Sequence, residues 1–227
     1  FSLDDVINQE FKYDTVIPCF DYINGFHLTK FKHNFDSHIT IYKKILNKHI
    51  VGASSLIELG AGYGSKIFKL GLMKEFKHLP IFATEFTKSG CNLMELISKN
   101  LNKTINVNFF DFNNLEKYTL KFPTNSIIFT SYAIHYSKTL NSNFIDFLLS
   151  FKPKAIVFFE PSYEYYDQKT LHGLLCKKYM TMNDYSLNLA SIIKKGCENK
   201  NIVLKIKKNV IGSNPFLPIS IFEIMPN

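Results

Sequence analysis

The sequence predicts an α/β fold, with a mostly parallel sheet covered by helices on both faces. Three observations predict it. Short apolar runs alternate with amphipathic helical stretches from Ser54 onward, a glycine-rich turn directly follows the first run, and acidic residues end later runs. A length of 227 residues suits one domain, since single cores reach roughly 250 residues before splitting. A hydrophobic content of 46% supplies a sizeable core and excludes disordered, collagen-like and disulfide-scaffold classes.

Residues 1 to about 50 precede the first strand and carry one helix, with Tyr42, Ile45 and Leu46 on its apolar face. Leu56-Ile57-Glu58 is a short strand that runs into the glycine turn. Ser65 to His78 reads as a helix with Phe68, Leu72, Met73 and Phe76 on one side. Ile81 to Glu85 is the second strand, with Pro80 in front. Thr87 is placed to cap a helix carrying Leu93, Met94, Ile97 and Leu101. Ile105 to Phe110 and Ser126 to Ser131 are the third and fourth strands. Leu140, Phe144, Leu148 and Phe151 mark another amphipathic helix, and Ala155 to Glu160 is the fifth strand. The segment Ser162 to Gly196 is Tyr-rich and helical in character. The tail from Ile202 to Ile224 alternates apolar and polar residues and is broken at Gly212 to Pro218, as an antiparallel pair would be.

The net charge is +8, yet all 27 basic residues are lysine. Sites on nucleic acid rely on arginine for bidentate contacts with phosphate and guanine. The dense stretch Lys194 to Lys208 therefore reads as a solvated face. Abundant Lys, Asn, Ile, Phe and Tyr with no Trp fit a low-G+C coding bias. The longest apolar run is Ala155 to Phe159, far short of the roughly 20 residues of a membrane span. No secretory leader is read. Cys19, Cys91, Cys176 and Cys197 show no metal or redox spacing, which suits reduced thiols and a cytoplasmic location.

The most informative stretch is Glu58-Leu59-Gly60-Ala61-Gly62-Tyr63-Gly64. A dinucleotide fingerprint would place the third glycine one residue later. The pattern acidic-x-G-x-G-x-G resembles motif I of the class I S-adenosylmethionine (SAM) dependent methyltransferases. The resemblance covers roughly residues 54 to 160, with the cofactor motifs in order. It implies a Rossmann-like, mostly parallel seven-stranded sheet with an antiparallel C-terminal strand and an N-terminal helical lid. It also implies SAM as cofactor and S-adenosylhomocysteine as product. Glu58 would lie by the loop at the methionine end, and Gly60, Gly62 and Gly64 would form the turn. Glu85 would accept from the ribose hydroxyls, which a carboxylate can do in pairs. Asp111 and Phe112 would hold adenine, although Asp111 can also cap the following turn and Phe112 can serve the core. Ser131 ends the fourth strand beside the cofactor.

The stretch Ser131-Tyr132-Ala133-Ile134-His135-Tyr136 is similar to the S-x-x-[IL]-H-[WY] of small-molecule carboxyl and hydroxyl methyltransferases. His135 is the catalytic candidate, as base, as orienter of the acceptor or as a structural residue. Tyr132, Glu160, Tyr163 and Tyr166 are candidates to bind substrate; Glu160 could equally cap a helix. The histidines His27, His33 and His38 could belong to the lid. No metal-ligand cluster is read. The tail Asn214-Pro215-Phe216-Leu217-Pro218-Ile219-Ser220 is similar to N-P-x-x-P-x-S endings of sugar O-methyltransferases. The expected function is methyl transfer to an oxygen of a small polar metabolite, with a bacterial surface-polysaccharide precursor as one form. The alternatives are an RNA or protein methyltransferase using the lysine-rich face, and a SAM-fold binding module. Nucleic acid is not expected as a partner, and the chain would be a monomer or homodimer. One domain is divided into a lid (1–50), a cofactor core (51–160), a helical substrate-side segment (161–200) and a C-terminal hairpin (201–227).

Overall fold

The computed structural model describes residues 2–117 and 119–226. The chain opens with α1 (Leu3–Phe11), started by a reciprocal cap in which Ser2 and Asp5 satisfy each other's backbone N–H. An antiparallel hairpin follows, β1 (Val16–Asp21) and β2 (Gly25–Lys30), and then α2 (Phe31–Leu46). The hairpin turn is made by Asp21, whose Oδ1 accepts from the N–H groups of Ile23 and Asn24, and by Gly25 at φ +65°.

The alternating half comes next: β3 (Leu56–Leu59), α3 (Ser65–Gly71), β4 (Ile81–Glu85), α4 (Lys88–Leu101), β5 (Ile105–Phe109) and β6 (Ile127–Ser131). Then come α5 (Phe144–Ser150), β7 (Ala155–Pro161), α6 (Leu171–Met182), α7 (Leu189–Cys197), β8 (Ile202–Gly212) and β9 (Ile219–Pro226). Thr87 caps α4 by accepting from Gly90 N–H, and Asn102 closes it in the left-handed region.

The strand order is β2-β1-β8-β9-β7-β6-β3-β4-β5. Strands β3 to β7 are parallel to one another, and every pairing from β7 to β2 is antiparallel. The chain moves outward from β3 to β5, then returns to place β6 on the other side of β3. That reversal is where open α/β sheets bind ligands, outside the carboxyl ends of the strands.

Period-2 patterning assigns the two faces. Leu56, Ile127, Phe129, Val157 and Phe159 pack under α1 to α4, while Ile57, Ile128, Ile156 and Phe158 pack under α5 and α7. Burying both faces explains why these strands read as unbroken apolar runs.

The seven expected strands are present, and the hairpin makes the sheet nine-stranded. The N-terminal segment is thus helix, hairpin, helix rather than a single helix. The hairpin docks on β8 through Phe20 opposite Gly212 and Asp21 opposite Ile211. The expected helix from Ser65 to His78 ends at Gly71 and continues as turns, since Leu72 N–H already bonds to Phe68 O and Met73 N–H to Leu70 O. No helix among the described residues is long and apolar enough to cross a membrane.

Candidate functional site

The three loop glycines all have positive φ: +72° at Gly60, +61° at Gly62 and +86° at Gly64. They are glycine for different reasons. A Cβ on Gly60 would meet Ala133 Cβ at 2.5 Å, and one on Gly64 would meet the Phe68 ring at 2.9 Å. A Cβ on Gly62 meets nothing within 4 Å. Gly60 and Gly64 let protein pack against protein, whereas Gly62 keeps an open cavity clear.

That cavity, about 500 Å³, lies over the ends of β3, β4 and β6. Glu10, Glu85 and Asp111 line it, with Phe86 and Phe112 as apolar surfaces. Glu85 holds the loop: Oε2 accepts from Gly62 N–H at 3.0 Å, and Oε1 accepts from Thr87 N–H and Oγ1–H, both at 2.9 Å. Asp111 ends β5 in a tight turn, its Oδ1 accepting from Asn113 N–H at 2.9 Å and Asn113 Nδ2–H at 3.1 Å. Phe112 is nearly buried and presents its ring beside Gly60.

Glu58 lies beneath the loop, fully buried, with Oε2 accepting from Ile67 N–H at 3.0 Å. Burial pushes its carboxyl up to about 7, opposed by the charge of nearby Lys66. Ser131 is buried and its hydroxyl is bonded to Tyr42 Oη at 2.7 Å. Lys66 Nζ donates to Ser131 O at 3.1 Å.

A second cavity of about 420 Å³ adjoins the first. Phe11, Ser65, Lys66, Tyr132 and Tyr136 line both, so the two spaces meet there. Tyr132 sits at this junction with φ +52°, a strained backbone for an aromatic residue. Its hydroxyl donates toward Leu217 O at 3.3 Å or His38 Nε2 at 3.4 Å.

His135 lines the second cavity on a single helical turn, Ile134–Tyr136, after β6. Its Nδ1 lies 3.4 Å from Glu160 Oε2, and Glu160 also accepts from Ala133 N–H at 3.0 and 3.1 Å. With Nδ1–H given to this carboxylate, the lone pair is left on Nε2.

Three expected substrate contacts are placed differently. Glu160 is fully buried and reaches the cavity through His135 and Ala133, not through its own oxygens. Tyr166 is buried against Cys176, Met180 and Leu217, and its hydroxyl donates to Pro218 O at 3.0 Å. Tyr163 carries Lys177 Nζ 4.3 Å above its ring. Neither tyrosine is among the described residues lining the two cavities. Tyr136, Tyr179 and Tyr185 line the second cavity instead.

Lys66 and Phe11 stand in no motif of the sequence, and His38 reads there only as one of several lid histidines. His38 was legible as part of a stripe: Phe31, Asn34, Phe35, His38 and Tyr42 share one face of α2 at helical spacing. Its Nδ1–H donates to Asn34 O at 2.9 Å, which leaves the Nε2 lone pair facing Tyr132 Oη at 3.4 Å. Burial holds the ring down to about 4, so it is neutral at neutral pH. No group of His, Cys, Asp or Glu among the described residues could hold a metal ion.

The chain matches no protein-family model and no curated protein. It is similar in structure to solved methyltransferases. Magnesium protoporphyrin IX methyltransferase of Synechocystis PCC 6803, with bound S-adenosylhomocysteine, superposes with a TM-score of 0.58 at 15% identity, over 88% of this chain and 89% of that one. The methyltransferase domain of bacterial CtHen1 gives 0.57 at 13%, over 86% and 98%. The plantazolicin methyltransferase BpumL, in complex with a monoazolic desmethylPZN analogue and S-adenosylhomocysteine, gives 0.56 at 12%, over 86% and 89%. At these identities the likeness establishes the fold, which is the Rossmann-like class I methyltransferase fold.

Proposed function

We propose that the chain is a SAM-dependent methyltransferase acting on an oxygen of a small-molecule acceptor. One observation carries this reading. A glycine-lined, carboxylate-bearing cavity meets a histidine-bearing cavity at Lys66, Tyr132 and Tyr136, so two bound molecules would touch there. The structural neighbours solved with bound S-adenosylhomocysteine support the choice of cofactor.

The residues present fit SAM. The open space at Gly62 admits a close backbone approach, Glu85 keeps lone-pair capacity for a ribose hydroxyl, and Asp111 and Phe112 offer an acceptor and a ring face for adenine. Glu10, Glu85 and Asp111 give the cavity the negative charge that a sulfonium and ammonium require. Bound SAM would supply a methyl carbon on a cationic sulfur, whose C–S electron pair would return to sulfur as the acceptor oxygen took the methyl. His135 Nε2 takes the proton of the acceptor hydroxyl, and buried Glu160 stabilises the imidazolium that forms. Ala133 N–H fixes Glu160, so the histidine stays in one tautomer. In this reading 51–160 supply most of the cofactor side together with Glu10 and Phe11, and residues of 1–50, 161–200 and 201–227 join His135 and Tyr136 around the acceptor.

The polysaccharide-precursor form of the acceptor rests on the tail Asn214–Ser220, of which Asn214 and Leu217 reach the second cavity. The RNA or protein reading rests on the lysine face, and Lys66 is the single lysine among the described residues lining either cavity. The test is a product assay with SAM against nucleotide sugars, phosphorylated metabolites and phenols, read by mass gain of one methyl. A salt titration of RNA binding accompanies it, because backbone binding weakens steeply with salt. Methylated small-molecule product is expected. No binding of S-adenosylhomocysteine, or methyl transfer confined to RNA, would overturn the reading.

A further inference from the structure

We propose that the acceptor is a flat aromatic hydroxyl compound, a phenol or fused-ring analogue, held between two aromatic walls. This deepens the methyltransferase reading and rests on it. One wall comes from α1 and α2. Phe11 and Phe31 stack at 4.5 Å and 11°, and Phe31 and Phe35 lie 6.1 Å apart at 23°. The other wall comes from the turn after β6 and from the end of α6. Tyr136 and Tyr185 meet edge to face at 5.4 Å, and Tyr179 lies 6.3 Å from Tyr185. Eight of the fifteen lining residues are Phe or Tyr, against 15% in the whole chain, so composition alone does not account for the walls.

A sugar would be poorly served here. A ring bearing hydroxyls on every side needs a partner for each one it buries, because a buried hydroxyl without one weakens binding. Two of the polar side chains lining the cavity are already engaged: Ser213 Oγ donates to Asn34 Oδ1 at 2.8 Å, and Asn214 Oδ1 accepts from Phe216 N–H at 2.8 Å. No carboxylate is among the described lining residues.

A phenol matches what remains. Its faces meet rings, where offset and edge-to-face arrangements add to simple burial. Its single O–H can donate to the Nε2 lone pair of His135, whose ring lines the cavity. Its developing oxyanion lies by the Lys66 ammonium at the junction with the cofactor cavity. Tyr136 is 68% exposed at that junction, an uncovered ring that a bound aromatic would cover. A volume of about 420 Å³ is within the range of pockets that enclose small ligands.

The test uses the full chain loaded with S-adenosylhomocysteine and three probes: 2-naphthol, its fully saturated counterpart decahydro-2-naphthol, and UDP-glucose. Binding is read by calorimetry. A merely greasy cavity would favour the saturated alcohol, so the comparison isolates the ring faces. Contacts of the flat ring with two aromatic walls should favour 2-naphthol by at least about fivefold. Tyr185→Leu and Phe35→Leu should each weaken 2-naphthol several-fold and leave S-adenosylhomocysteine affinity within twofold. With SAM, 2-naphthol should gain one methyl as its ether. Equal binding of the two alcohols, or preference for UDP-glucose, would overturn this inference alone. Failure of S-adenosylhomocysteine itself to bind would overturn the methyltransferase reading beneath it.

Discussion

Replacing Gly62 by valine should remove cofactor binding while leaving a folded protein. The residue sits at φ +61°, where a side chain costs roughly 1–2 kcal/mol. Nothing lies within 4 Å of the added Cβ, so no clash adds to that cost. A chain of this length loses about 2–4 °C of melting temperature per kcal/mol, so the variant should melt about 2–8 °C lower. The branched methyls project into the 500 Å³ cavity. Wild-type protein with S-adenosylhomocysteine at 100 times its Kd gains about 2.7 kcal/mol, or about 5–11 °C. Gly62→Val should show none of this gain. Gly60→Ala provides the contrast. Its methyl would meet Ala133 Cβ at 2.5 Å and the Phe112 ring at 3.1 Å, so overpacking adds about 1–3 kcal/mol to the backbone strain. The assay is a thermal melt of each variant with and without ligand. A Gly62→Val protein that keeps the full ligand-induced rise would refute the assignment of this cavity.

Glu85→Ala removes the acceptor for three loop hydrogen bonds as well as the ribose partner, and S-adenosylhomocysteine affinity should fall by roughly 1.5–3 kcal/mol in calorimetry. Glu58 has a folded pKa raised from 4.5 to about 7, so the stability it contributes is fully present below about 4.5 and is lost as pH rises through about 7. Urea unfolding of Glu58→Gln should therefore show the variant gaining about 3 kcal/mol relative to wild type between pH 4 and pH 8; a constant difference would refute the burial argument. His135→Ala should lower turnover by about 10²–10⁴ with cofactor affinity unchanged, and full turnover would leave the histidine structural.

The parallel half of the fold was legible because burial on both faces writes itself into sequence as apolar runs such as Ile127–Phe129 and Ala155–Phe159. The loop was legible because its three glycines stand in positive φ at a strand end. The hairpin was not: β1 and β2 are half-exposed, and the strand they dock on lies some 190 residues away. Its one local mark was the turn chemistry of Asp21, Asn24 and Gly25. Among the site residues, those at strand ends came from the chain's own order. The second cavity is built by tertiary packing, so sequence could not say that Tyr136, Tyr179 and Tyr185 line it while Tyr163 and Tyr166 do not. Glu160 follows the same logic: a strand-end carboxylate marks the right place, but only the fold shows that its oxygens face Ala133 N–H and His135 Nδ1.

The docking of Phe20 and Asp21 against Gly212 and Ile211 sets an order of assembly. During vectorial synthesis the hairpin leaves the ribosome long before its sheet neighbour exists, and non-local pairings of this kind form late. The segment from β3 to β6 needs neither terminus to pair its own strands, although Glu10 and Phe11 of α1 also line the first cavity. The acceptor cavity does: Phe11 and Phe31 flank the hairpin, and Asn214 and Leu217 lie between the last two strands. A nascent chain can therefore pair the strands beneath the first cavity early, and the second cavity closes only when the two ends of the polypeptide meet.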